Sequence, residues 1–370
     1  MGNLLLNSLE IQNFRGFRQL QIERLGRINL IVGKNNVGKS SLLEALRLYS
    51  SGISSQRDIP NLIRELLLAR DEIALSRSDA NIETEAEEIL SSLKYMFYGR
   101  KDVREGVQPV RIGPMNSPNE VLSIGIGWYA EQLDEDNGIK RIRLLPAEYA
   151  TIDNPVPRIE IQLGQQSKVN YPLRSNRLSG MESDDIKSAF ISSGGFSNRE
   201  LRVLWDKVAL TPYEKQVTEA LRIITPGVEG ISIIGGSRGL LPIVKIAGVD
   251  ERLPLRSLGD GTQRILGIAL ALVSTKEGVL FIDEVDNGMH YSVQHEFWQF
   301  LFQVAGRLNV QVFATTHRWD CIEGFQKAAQ ENTQEEGLLL RLSVKNDEIA
   351  ATVFDEEELG IITRDKIEVR

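Results

Sequence analysis

The sequence predicts an α/β fold: a parallel sheet whose first buried strand opens into a glycine turn, with an antiparallel β section and helical insertions added. Three observations predict it. The near-continuous apolar run Ile28–Val32 leads into Gly33–Ser40 and then into a helix with an apolar stripe. The segment Val107–Leu173 reads as successive strands separated by Gly, Pro, Asn and Asp. The last third alternates strand and helix patterns, which demands parallel pairing.

In chain order, Leu4–Phe14, Arg18–Ile22 and Arg27–Val32 are short strands with apolar alternation. A helix runs from Lys39 to about Tyr49 on Leu42, Leu43, Leu46 and Leu48. Ser50 to about Arg100 is helical, best in Asn61–Ser76 and Ile82–Tyr98. The strands of Val107–Leu173 have short links and so pair antiparallel. Asp184–Ile224 turns helical again and stops at Pro226-Gly227. Strands Gly230–Ile234 and Leu241–Ile246 precede a glycine-rich turn, Gly259–Gly261, and a helix Thr262–Thr275. Strand Val279–Ile282, helix Ser292–Gly306, strand Val310–Ala314 and helix Trp319–Gln330 follow. The tail gives strands Leu338–Val344 and Ile349–Phe354. On this reading 1–50, 106–182 and 226–370 form one discontinuous head, 51–105 a helical insertion and 183–225 a helical lid or linker.

Composition narrows the class. Hydrophobic residues at 42% and charged residues at 25% fit a soluble globular chain rather than a disordered one. A net charge of −8 argues against coating nucleic acid or anionic lipid by bulk charge, while leaving room for a local basic groove. The single cysteine, Cys321, excludes an internal disulfide, and a cytoplasmic location is expected. No apolar run approaches the roughly 20 residues of a membrane span. The opening MGNLLLNS lacks a signal-peptide pattern, and Leu6 stands where myristoylation wants Ser or Thr.

Four short motifs carry chemistry. Gly33-Lys34-Asn35-Asn36-Val37-Gly38-Lys39-Ser40, with Ser41 behind it, is a Walker A loop between a buried strand and a helix. Its glycines let backbone N–H groups face phosphates, Lys39 reaches the β- and γ-phosphates, and Ser40 holds Mg²⁺. Val279–Ile282 followed by Asp283-Glu284 is a Walker B strand, with Asp283 on the metal and Glu284 activating water. Ser257-Leu258-Gly259-Asp260-Gly261-Thr262 precedes a helix and sits between the Walker motifs. Taken alone it is a capped helix start; in that place it fits an ABC signature, which presents donors to a γ-phosphate held by another subunit. Asp260 and Gly261 stand where related signatures carry Glu or Gln and Lys or Arg. Asp286 fits a D-loop. Among the three histidines, His290, His295 and His317, only His317 follows an apolar strand in the order a switch histidine requires. His290, close behind the D-loop, is a weaker candidate. No Cys/His metal cluster is present in the sequence.

The order of motifs resembles the ATPase head of the SMC, RecF and OLD (overcoming-lysogenisation-defect) proteins, an ABC-type P-loop NTPase fold. "SLEIQNFRGFRQLQI", "GKNNVGKSSLLEAL" and "LFIDEVDNGMH" carry the likeness, and "LPLRSLGDGTQRILGIALAL" and "VQVFATTHRWDCI" are most similar to stand-alone OLD-like ATPases under an AAA-type label. The resemblance implies ATP and Mg²⁺ as ligands, a homodimer across the nucleotide sites, and Arg15 approaching the nucleotide. It departs in two ways: no Toprim nuclease domain follows, and no heptad run long enough for a coiled-coil arm is present. A Q-loop glutamine is unplaced among Gln56, Gln108 and Gln162.

Three functions compete. The first is an ATP-driven dimeric switch that regulates or loads a separate effector, such as a Toprim nuclease, in DNA maintenance or antiphage defence. The second is a RecF-like ATPase touching nucleic acid through Arg100/Lys101/Arg104, Lys140/Arg141/Arg143 or Arg199/Arg202. The third is the ATPase subunit of a membrane transporter, opposed by the "NFRGF" opening and the missing "LSGGQ" wording.

Overall fold

The computed structural model describes residues 4–73, 82–134, 138–145, 148, 155–173, 187–236 and 239–369. β1 (Leu9–Phe14) and β2 (Phe17–Ile22) make a hairpin, and β3 (Ile28–Val32) leads into α1 (Lys39–Ser54). Helices α2 (Ile59–Leu68) and α3 (Ile82–Ser92) come next. β4 (Val110–Gly113), β5 (Leu122–Asp134), β6 (Gly138–Arg143), β7 (Val156–Leu163) and β8 (Val169–Pro172) follow. Then come β9 (Ser188–Ile191), α4 (Asn198–Val208), α5 (Tyr213–Arg222), β10 (Val228–Gly236), β11 (Gly239–Ile246) and β12 (Leu253–Pro254). The chain continues through α6 (Asp260–Ser274), β13 (Val279–Ile282), α7 (Gln294–Leu308), β14 (Gln311–Thr315) and α8 (Trp319–Glu331). It closes with β15 (Gly337–Lys345), β16 (Glu348–Phe354) and α9 (Glu356–Arg364).

Among the described residues one sheet has the order β16-β15-β3-β14-β13-β9. Its pairs from β15 to β9 are parallel, and β16 is antiparallel to β15. A second, antiparallel sheet has the order β2-β1-β4-β5-β7-β8 with β6 on β5. The antiparallel pairing expected for the middle of the chain is what forms, and the first hairpin joins it. β10, β11 and β12 make a small third sheet. The fold is thus an α/β P-loop ATPase head with an antiparallel β part.

Strand alternation divides the core. β3, β13 and β14 are buried at every position, as inner parallel strands must be. Leu30, Leu280, Ile282, Val312 and Ala314 face α4–α8 on one side. Ile31, Val279, Phe281 and Phe313 face α1, α2 and the antiparallel sheet on the other. Phe281 and Phe313, direct register partners, stack at 5.9 Å. Helix α6 is buried almost all round, which explains the unbroken apolar run Ile265–Val273. So α1, with the Walker A loop at its start, and α6, with the signature at its start, lie on opposite faces of one sheet.

Some element expectations are corrected. Asp184–Ile224 is not helical throughout: Ser188–Ile191 is β9, hydrogen-bonded parallel to β13 at the sheet edge. Four residues carry no periodicity of their own, and a long-range partner decides their state. The helix behind begins only at Asn198, behind a Ser197–Glu200 capping box. Helices α4 and α5 pack into the same core as α6. The helix expected over Asn61–Ser76 is α2, ending at Leu68, and 74–76 lie outside the described residues. That expected over Ile82–Tyr98 tightens to a 3₁₀ turn at Leu93–Met96. The tail does not end on strands: α9 follows, capped by Asp355 and Glu358.

Candidate functional site

The Walker A loop leaves β3 through Gly33 at φ 145°, where a Cβ would lie 2.5 Å from the Leu342 carbonyl oxygen. It enters α1 through Gly38 at φ 97°, where a Cβ would lie 3.0 Å from the Phe17 ring. Both turns are closed to other residues. Lys34, Asn35, Asn36 and Ser40 are exposed, whereas Val37 and Ser41 are buried. The Ser41 hydroxyl accepts from Arg70 Nη2 at 3.1 Å. Lys39 Nζ donates to the carbonyls of Gly33 at 2.7 Å and Lys34 at 2.9 Å. Burial pulls its pKa below the usual lysine value, and Asp283 and Glu284 push it back up.

Parallel pairing of β13 with β14 sets Ile282 beside Ala314, so the residues just past both strands meet. The Thr315 hydroxyl donates to Asp283 Oδ1 at 2.7 Å and accepts the Glu284 N–H at 2.8 Å. Both Asp283 carboxylate oxygens stand 3.4 Å from Ser40 Oγ, bringing the ends of the two Walker motifs together. Glu284 has a left-handed backbone, φ 49°. Its Oε1 lies 3.8 Å from His317 Nε2, and both side chains are partly exposed.

Asp286 is different. It is 2% exposed, accepts from Thr316 Oγ1 at 2.8 Å and faces Arg318 Nε at 3.5 Å. Burial raises its pKa. That carboxylate is engaged by side chains of its own chain. Arg15 is engaged likewise. Its guanidinium is buried against Glu44 at 2.5 Å and Glu72 at 2.9 Å, and Arg70 bonds Glu44 from the other side. His290 bonds Ser292 at 2.9 Å and packs at a tilt against Tyr291, ring centroids 4.2 Å apart. Of the candidate glutamines, Gln56 and Gln162 both bond Gln166, and Gln108 is exposed.

At the signature, Ser257, Gly259 and Asp260 are exposed. Ser257 Oγ donates to Pro254 O at 2.6 Å. At Gly259, φ 97°, an added Cβ would meet nothing within 4 Å. Gly261 is buried, and its Cβ would lie 2.5 Å from the Gly288 carbonyl oxygen. It packs between the start of α6 and the turn after the Walker B strand. A cavity of about 280 Å³ opens beside it, lined by Ser193, Arg256, Asp260, Gln263 and Asn287 among others. No hydrogen bond given among the described residues joins 257–260 to 33–40.

Two residues were missed by sequence reasoning. Thr315 lies one residue past the expected strand Val310–Ala314, and its signal is register beside Asp283. Arg264, one turn into α6, donates to the carbonyls of Ser192, Asp283 and Glu284.

Residues 123–318, more than half of the chain, match the family described as "AAA domain, putative AbiEii toxin, Type IV TA system". The chain belongs to this AAA domain family. A further family, described as AAA ATPase domain, matches residues 5–170. This AAA protein is an ATPase of the AAA/ABC class. An ATP/GTP phosphatase of Helicobacter pylori is 23% identical to it over 355 residues, 88% of this chain and 89% of the relative. The DNA replication and repair protein RecF of Clostridioides difficile is 43% identical over 49 residues, 13% of either chain. In fold the AAA ATPase is similar to an SMC head crystallised with the C-winged helix domain of ScpA. That match has a TM-score of 0.50 at 12% identity, over 95% of this chain and 98% of that one. No described helix is long and apolar enough to cross a membrane.

Proposed function

We propose that this ATPase is a nucleotide-dependent dimeric switch acting on a separate effector in DNA maintenance or antiphage defence. One observation carries the reading: the exposed signature loop and the Walker A loop begin helices on opposite faces of the same sheet. A nucleotide on Lys39 is therefore covered by the Ser257–Asp260 loop of a second copy, not by its own.

The residues fit the expected ligands. Exposed backbone at Lys34–Asn36 and the N-terminus of α1 suit a triphosphate. Ser40 Oγ and the Asp283 carboxylate face each other across 3.4 Å, a hard-oxygen pair of the kind Mg²⁺ takes. Bound there, Mg²⁺ would neutralise charge on the β- and γ-phosphate oxygens. Lys39 Nζ exchanges its two loop carbonyls for phosphate oxygens. Glu284 accepts a proton from the attacking water at its carboxylate, held by the Thr315 hydroxyl through its backbone N–H. His317 stands beside Glu284 and donates toward the γ-phosphate, so its environment changes when that group leaves.

The effector is a separate protein, a Toprim nuclease being one candidate. Direct nucleic-acid binding is the weaker reading. Arg104 is paired with Glu87 and Asp102, Arg141 with Glu131, Arg143 with Glu160 and Arg202 with Asp206. The test is the solution mass of Glu284→Gln with ATP and Mg²⁺. A dimer formed on adding ATP supports the switch. A monomer under every condition removes it.

A further inference from the structure

We infer that Arg264 is a positioning residue for Glu284, the strut through which the signature helix sets the Walker B turn. The inference rests on the reading of Glu284 as the proton acceptor. Arg264 projects from the first turns of α6 and is 6% exposed. Its Nη1 donates to Ser192 O at 2.5 Å, and its Nη2 to Asp283 O at 2.5 Å and Glu284 O at 3.0 Å. These carbonyls belong to the segments just past the ends of β9 and β13. One planar cation therefore ties the two backbone segments together just past the point where the Asp283 N–H donates to Ile191 O at 2.8 Å.

The site needs such a tie. Glu284 sits at φ 49°, a left-handed conformation that is unfavourable for a non-glycine residue. It persists only if its surroundings over-determine it. Thr315 fixes the Glu284 N–H from one side, and Arg264 fixes its C=O from the other. The side chain between them is partly exposed and held by neither. Its carboxylate faces His317 Nε2 at 3.8 Å, and the backbone sets the direction from which it starts.

Arg264 has no carboxylate in ion-pair contact among the described groups. Instead it lies within the field of Asp283, Asp286 and Glu284. The same helix starts at Asp260, exposed, with Gly261 against Gly288. A second copy pressing on Gly259–Asp260 therefore moves a body whose guanidinium grips the catalytic turn. Lysine cannot replace it, because one ammonium does not span three carbonyls in a plane.

The test compares full-length Arg264→Lys and Arg264→Ala with the parent. Turnover, the ATP KM, melting temperature and rescue by free guanidinium at non-denaturing concentration are measured. The inference predicts that kcat falls about a hundredfold in Arg264→Ala while KM stays within about threefold, as for a misplaced catalytic group. Guanidinium restores part of kcat, and Arg264→Lys stays folded but slow. A Lys variant with parental kcat overturns it, as does a slow, folded Ala variant that guanidinium does not rescue. Should the Ala variant not fold, the Lys variant decides alone by the same kcat criterion. Glu284→Gln run in parallel separates the two readings: if it keeps turnover, the role of Glu284 falls whatever Arg264 does.

Discussion

The Thr315 hydroxyl donates to Asp283 Oδ1 at 2.7 Å, across the gap between two parallel strands. The same oxygen accepts the Glu284 N–H, so one buried threonine holds both Walker B acids. Thr315→Val keeps the shape and removes both bonds. It leaves a polar group unpaired, at a cost of about 1–3 kcal/mol. We expect a lower melting temperature and a lower kcat, with Thr315→Ser close to the parent in both. Steady-state ATPase assays and thermal denaturation check this.

Gly261 and Gly259 should respond differently. An alanine at 261 meets the Gly288 carbonyl at 2.5 Å, and backbone must move, at about 1–3 kcal/mol. An alanine at 259 meets open space but takes on a strained φ of 97°. Gly261→Ala is expected to melt lower, while Gly259→Ala loses ATP-dependent association with a smaller shift. Paired melting curves and mass measurements in ATP distinguish them.

Much of this was legible in advance. Gly33–Ser40 and Val279–Glu284 announce themselves because phosphate chemistry needs fixed residues at fixed spacing. Their strands are apolar throughout because they are buried on both faces. β9 was not legible: four residues of Ser188–Ile191 have no signal apart from their partner Val279–Ile282. Arg264 and Thr315 were hidden for the same reason, since their roles follow from strand register and helix docking. Asp355 and Glu358 did mark α9 locally, as a capping box, and went unread. Sequence order says nothing about which carboxylates surround the Arg15 guanidinium.

That cluster gives a further prediction. Arg15→Met leaves Glu44 and Glu72 with less compensation, and breaking a buried ion pair costs about 3–5 kcal/mol. A marked fall in melting temperature is expected, with ATP affinity in the surviving folded protein little changed. Unchanged melting with lost ATP binding would return Arg15 to the nucleotide.

Asp286 predicts a pH dependence. Burial raises its pKa in the folded state, so the folded chain binds its proton more readily than the unfolded chain. The sign follows: its contribution to stability is fully present below the ordinary carboxylate pKa and is lost as pH rises through the raised value. Asp286→Asn removes that slope while keeping an acceptor for Thr316. Its melting temperature is expected to be no lower than the parent's at neutral pH, with the parent catching up on acidification. Melting curves across the acidic range measure it.

The central claim is that two copies share each nucleotide. Lys34→Cys and Ser257→Cys place thiols on the exposed Walker A and signature loops, and Cys321 is buried and silent. Each change is made separately in Glu284→Gln protein, the two are mixed, and a short bifunctional thiol reagent is added. The account predicts a cross-linked dimer in the mixture that appears with ATP and Mg²⁺ and is absent without nucleotide. No inter-copy product with ATP, from thiols shown to be reactive, would contradict it.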